Sequence, residues 1–176
     1  MRLFIAIGFK EAAFFRKIQN RMDRSSARLK FTDIYHLTLK FLGEVREQRL
    51  QEIKKGLSKI SFQPFQLTAS HLGFFPCKNN IRIIWLGFDI SKELESLHQN
   101  IESALASMFR KEKRKFHPHV TLARVKSVRD RAAFLENIES IAVQKKPFNI
   151  DKFSLIKSTL TKKRPVYECM DEYLSS

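Results

Sequence analysis

Cysteine is scarce in this 176-residue chain: Cys77 and Cys169 are the only two, far apart and in no metal-binding spacing. A disulfide framework or a zinc site is therefore not expected. No apolar run approaches the roughly 20 residues of a membrane span. The apolar opening, Met1 to Phe9, is too short for a secretory h-region followed by a cleavage site. The expected setting is the cytoplasm, with no membrane partner. Acidic residues are also in deficit, with 18 Asp and Glu against 33 Lys and Arg, a net charge of +15. Such a field attracts polyanions such as RNA or DNA. Basic residues cluster at Lys111, Lys113, Arg114 and Lys115, at Lys145 and Lys146, and at Lys162, Lys163 and Arg164. Aromatic usage is lopsided, one Trp and three Tyr beside sixteen Phe, so Phe is expected mostly in the core and in a few stacking surfaces. Hydrophobic content of 43% with 29% charge fits a folded, solvated chain, one domain or two intimate lobes.

What is present, twice, is His-x-Thr inside an apolar run: His36-Leu37-Thr38 and His119-Val120-Thr121. With five His and six Thr, chance gives roughly 0.2 such tripeptides. In a strand, residues two apart share a face. Each histidine therefore sits beside its threonine, while Leu37, Leu39, Val120 and Leu122 point toward a core.

The chain around these strands reads as α+β. Strands are expected over 2–9, around each His-x-Thr, and over 65–75, 81–88, 148–160 and 165–173. Helices are expected from Lys10 to about Ser25, over 46–60, from an N-cap at Ser91, and from a Ser127-x-x-Asp130 capping box to about Ile141. Residues 26–31 read as a basic connection. Each half runs strand, helix, His-x-Thr strand, helix, strand. The histidines lie 119 − 36 = 83 positions apart, and the flanking elements recur at about 81 and 83. This layout predicts an internal repeat over approximately 2–76 and 80–160 with a closing strand at 165–173, the whole of 1–176 forming a single bilobal domain. A pseudo-two-fold axis would bring both motifs to one cleft.

Two opposed imidazoles divide acid and base work, one neutral and accepting a proton from water, the other charged and giving one to a leaving oxygen. Thr38 and Thr121 would donate hydrogen bonds to phosphate oxygens, and Arg124 or Lys40 a positive charge. No carboxylate cluster or His/Asp spacing suggests a metal or other cofactor. Metal-free cleavage favours an activated substrate such as a strained cyclic phosphate. Strict alternation sends Phe41 and Arg124, each five residues after its histidine, to the face opposite the histidines. Phe41 then belongs to the core, while Arg124 needs a bulge or the strand end to bring its charge out. His71, with no hydroxyl partner, and His98 read as structural or surface residues, and His117 as a neighbour of the site.

Over nearly its whole length the chain resembles the two-histidine phosphoesterase superfamily, and within it the RNA 2′,3′-cyclic phosphodiesterases formerly called 2′–5′ RNA ligases. The resemblance rests on Arg2-Leu3-Phe4-Ile5-Ala6, on His36 through Val45, and on Gly73-Phe74-Phe75-Pro76. It continues over Arg82 through Gly87, Phe116 through Arg124, and Ser158-Thr159-Leu160 with Pro165-Val166-Tyr167. It implies a bilobal, duplicated fold, with antiparallel sheets lining a central cleft and helices outside. It also implies metal-independent opening of a terminal 2′,3′-cyclic phosphate on RNA, or of a cyclic nucleotide, to a 2′-phosphate. His119 would activate water and His36 would protonate the departing O3′. Thr38, Thr121 and Arg124 would hold the phosphate, and Phe41 would stack on the terminal base. The alternatives are a 2′–5′ ligase or phosphodiesterase and a non-catalytic RNA-binding module. No obligate protein partner is expected. The chain departs from the pattern in carrying Phe31 and Tyr35 where a Trp often precedes the first motif, and Lys162-Lys163-Arg164-Pro165 where Gly-Pro is common.

Overall fold

A computed structural model describes residues 1–112, 114–161 and 164–176. The expectations placed on Lys113, Lys162 and Lys163 lie outside the described residues. Among the described residues, nine strands form one antiparallel sheet: β1 (Arg2–Phe9), β2 (Ala27–Phe31), β3 (Tyr35–Glu44), β4 (Phe65–Cys77), β5 (Asn80–Phe88), β6 (His119–Val128), β7 (Lys146–Ile150), β8 (Lys152–Leu160) and β9 (Pro165–Leu174). Four α-helices accompany them among the described residues: α1 (Ala12–Gln19), α2 (Leu50–Leu57), preceded by a 3-10 turn over Glu47–Arg49, α3 (Lys92–Ala104) and α4 (Arg131–Ser140). The sheet order is β7-β4-β5-β6-β3-β1-β8-β9, with β2 added beside β6.

The helices bury their apolar stripes on one side. Phe15 and Ile18 of α1, Ile53 and Leu57 of α2, Leu94, Leu97 and Ile101 of α3, and Phe134 and Ile138 of α4 all join one core cluster. Leu37, Leu39, Val120 and Leu122 belong to the same cluster. The central strands thus turn their apolar residues to the helices, and the other face of β3 and β6 is left to the histidines.

Four of the departures from the sequence-based boundaries have a local reason. The first helix stops at Gln19 rather than near Ser25, because the Asp23 carboxylate accepts hydrogen bonds from the Ser25 amide (2.8 Å), the Ser25 hydroxyl (2.8 Å) and the Ser26 amide (3.1 Å), building a turn. Residues 27–31 are a strand and not a mere connection. Ala27, Leu29 and Phe31 alternate with exposed Arg28 and Lys30, and β2 pairs with β6. The cap of α4 is Asp130 itself, accepting from the Ala133 amide at 3.0 Å, while Ser127 remains in β6. The single strand expected over 148–160 breaks at Asp151 into β7 and β8, which pair with β4 and β1 toward opposite edges of the sheet.

Ser91 caps α3 as expected, its hydroxyl accepting from the Leu94 amide at 3.1 Å. Cys77 and Cys169 are free and exposed. Among the described residues, no helix is long and apolar enough to cross a membrane.

Candidate active site

β3 and β6 are antiparallel neighbours with a single registered pair, Leu37 opposite Val120. One step to either side in that register, His36 lies across from Thr121 and Thr38 across from His119. All four turn away from the buried Leu37 and Val120 and are half-buried. The two histidines form a diagonal of this two-by-two array, a spacing of about 7–8 Å between side-chain roots in paired strands. Each histidine also faces a glycine on its outer neighbour, His36 opposite Gly8 of β1 and His119 opposite Gly87 of β5. Neither threonine hydroxyl has a hydrogen-bond partner among the described residues. Both are free to donate to an anion between the strands.

Matching bulges set the side-chain directions beyond each motif. In β6, Trp85 pairs with Thr121 and Ile84 with Ala123, so Leu122 is an extra residue. Leu122 and Ala123 are both buried and Arg124 is exposed. The bulge brings Arg124 round to the face of His119 and Thr121, as its charge requires. In β3, Ala6 pairs with Thr38 and Ile5 with Lys40, leaving Leu39 extra. The consequence there overturns two expectations. Lys40 is turned into the interior, where its ammonium donates to Glu102 at 2.6 Å and to the Arg110 carbonyl at 3.3 Å. It is thereby removed from any phosphate. Phe41 is turned out of the core and is 63% exposed, its ring 6.1 Å from that of Phe4. Gly43 then bends the strand with a φ of +71°, a conformation that favours glycine.

Aromatic rings close around each imidazole. Phe4 and Tyr167 lie 5.1 and 5.2 Å from His36, centroid to centroid. Phe75 and Trp85 lie 4.9 and 6.0 Å from His119. Burial, reinforced by the nearby positive charge of His119, pulls the His36 pKa from 6.5 to about 4. Burial also lowers that of His119, but the His117 carbonyl opposes the shift. That carbonyl lies 2.7 Å from His119 Nδ1, which must carry hydrogen to meet it. The Nε2 atom of neutral His119 then presents a lone pair. His36 Nδ1 is buried without a partner, so nothing comparable holds its tautomer. The two histidines are unequal despite the symmetric strands.

His117 is thus a neighbour that acts through its backbone, and Trp85 packs against it at 4.5 Å. Trp85 in turn lies so close over Gly73 that an added Cβ would come within 2.2 Å of the indole. His98 stacks on Phe116 at 4.1 Å, consistent with a structural role. The expectation that His71 lacks a hydroxyl partner is wrong: its Nδ1 lies 2.8 Å from the Ser70 hydroxyl. Phe4, Phe75, Trp85 and Tyr167 carry no local pattern that singles them out. They fall, however, within the stretches that bear the family resemblance.

A protein-family model described as LigT like Phosphoesterase matches residues 10–85 and 88–167. The chain belongs to the LigT-like phosphoesterases. Among LigT-like relatives, a Methanocaldococcus jannaschii protein named RNA 2′,3′-cyclic phosphodiesterase is 34% identical over 98% of this chain and 100% of its own length. A Thermotoga maritima protein of the same name is also 34% identical, over 98% and 94% of the two chains. A crystal structure of a Thermus thermophilus protein superposes with a TM-score of 0.82 at 24% identity, covering 99% of this chain and 97% of that one. E. coli LigT complexed with 3′-AMP superposes with a TM-score of 0.75 at 25% identity, covering 99% and 98%. The α+β architecture read from the sequence is the LigT fold.

Proposed function

We propose that this chain is a cyclic phosphodiesterase that opens a terminal 2′,3′-cyclic phosphate of RNA, leaving a 2′-phosphate and a free 3′-hydroxyl. The observation that carries the reading is the His36, Thr38, His119 and Thr121 array, with His119 Nδ1 held by the His117 carbonyl and Nε2 free. Water attacks phosphorus from the His119 side and gives its proton to Nε2. The bond from phosphorus to O3′ breaks, and O3′ takes a proton from charged His36. His119 ends charged and His36 neutral, and solvent exchange resets both. The threonine hydroxyls and the Arg124 guanidinium neutralise charge building on the non-bridging oxygens. The phosphate anion seated between the rings favours charged His36, offsetting part of the burial that lowers its pKa. Phe41, exposed beside Phe4, offers a ring for the terminal base. The relatives named RNA 2′,3′-cyclic phosphodiesterase support the same substrate class.

The reading takes the chain as one bilobal domain, duplicated over approximately 2–76 and 80–160 and closed by strand 165–173. A sheet order symmetric about β3 and β6, and the two ranges of the family match, support it. It is taken to act in the cytoplasm and without a metal. The test is turnover of a nucleoside 2′,3′-cyclic phosphate in excess EDTA, with the product identified as the 2′- or 3′-phosphate. Turnover to the 2′-phosphate is expected, and His36→Ala and His119→Ala should each lose at least about a thousandfold in kcat. Loss of activity on chelation would reject the metal-free mechanism. RNA binding without hydrolysis would favour a silent binding module.

A further inference from the structure

We infer that the exposed side of β2 and the end of β6 form a track for the phosphates upstream of the cleaved RNA end. This rests on the phosphodiesterase reading and narrows it: the substrate is an oligonucleotide terminus rather than a free cyclic nucleotide. In register, Lys30 of β2 lies opposite Arg124, and Arg28 lies opposite Ser127. Leu29 lies opposite the buried Val125 on the other side of the sheet. The shift between Arg28 and Leu29 leaves Lys126 as an extra residue, so Lys126 and Ser127 share the exposed side with Arg28. Four cations therefore continue from the phosphate site in one row: Arg124, Lys30, Lys126 and Arg28. All four are exposed.

Lys126, at the end of the row, also lines a basin of about 310 Å³ that reaches the buried Val125 and Phe134 on the helical side. At about 3.3 Å per residue, Lys126 lies about 20 Å from His119, beyond the reach of a mononucleotide. Several surface cations elsewhere are matched: Lys145 with Asp89, Lys152 with Glu172, Lys157 with Glu168 and Arg164 with Asp33. Among the described residues, Arg28, Arg124 and Lys126 have no carboxylate within ion-pair distance. Three unmatched charges within this row of four, which starts at the phosphate site, suit a polyanion backbone and add nothing for a single small anion.

The experiment compares the Arg28→Ala/Lys126→Ala pair with Lys55→Ala/Lys59→Ala, which removes the same charge from the helical side. Two probes are used: cytidine 2′,3′-cyclic phosphate, and a labelled 12-nucleotide RNA ending in a 2′,3′-cyclic phosphate. A third measurement, fluorescence anisotropy, reads binding of the same RNA ending in a 2′-phosphate. The track pair should weaken RNA binding about tenfold and lower the slope of log Kd against log salt by about 1.4, for two lost contacts. Its kcat/KM should fall about tenfold on the RNA and less than twofold on the mononucleotide. Equal losses on both substrates, no loss, or the same loss in the helical-side pair would overturn the track. Absence of turnover with binding that still depends on Arg28 and Lys126 would discard the phosphodiesterase reading and keep the track.

Discussion

His36, with its pKa held to about 4, is a weak base at neutral pH and a strong acid once charged. The form of the free enzyme that the proposed chemistry needs has His36 charged and His119 neutral. Burial lowers both pKa values below 6.5, so that form is most populated on the acid side of 6.5. The expected kcat/KM for a cyclic nucleotide therefore peaks below pH 6.5 and falls on either side. A profile still climbing at pH 8 would contradict the assignment. The same depression has a folding consequence. Above pH 6.5 the imidazole is neutral in both states and its burial goes unpenalised. As pH falls from 6.5 toward 4, the unfolded ring takes up a proton that the folded one refuses, and stability declines. His36→Asn should flatten part of that decline in urea titrations at pH 4 and pH 7. At this scale His36, Thr38, His119 and Thr121 were legible because strand alternation needs only a spacing of two. The inequality of the rings was not, because it comes from a carbonyl and from ring contacts across the sheet.

A single inserted residue per strand separates the roles of Lys40, Phe41 and Arg124. Nothing in Leu39-Lys40 announces a bulge, whereas in β6 the charge of Arg124 asked for one; both are set by pairing with β1 and β5. The Leu122 carbonyl at the β6 bulge accepts from the Thr32 amide at 3.0 Å and from Gln19 Nε2 at 2.9 Å. Gln19 is itself buried, bonds the Thr32 carbonyl at 2.8 Å and receives the Tyr35 hydroxyl at 2.9 Å. In β3 the corresponding anchor is the buried ion pair of Lys40 with Glu102. Lys40→Met strands the Glu102 charge and should cost about 3–5 kcal/mol of stability, read by denaturant unfolding. The surviving folded enzyme should keep kcat/KM within about tenfold. A loss of catalysis as severe as that of His36→Ala, with stability unchanged, would return Lys40 to the phosphate. Strand β2 was obscured for a different reason: its alternation was present, but its basic residues suggested a solvated loop.

The two halves of the chain do not fold side by side. β4 closes the first half in sequence but pairs with β5 and β7, both from the second half. β8 closes the second half but pairs with β1 of the first. Each end of the sheet is thus completed by the other half's strand. Thermal unfolding should be one cooperative transition, with near-UV and far-UV signals coinciding. The segment 1–78 expressed alone should stay unfolded, because β1 lacks β8 and β4 lacks both partners. Two resolved transitions, or a stably folded half, would contradict this exchange.

The sequence by itself determined the fold class, the histidine and threonine pairs and the helical core faces. Each depends on a period of two or of about 3.6 residues, which neighbours along the chain reveal. Only the tertiary structure decided which way Lys40 and Phe41 point, where the strand over 148–160 breaks, and which histidine has its tautomer held. Those outcomes depend on hydrogen bonds and burial between residues far apart in sequence, and no local spacing encodes them.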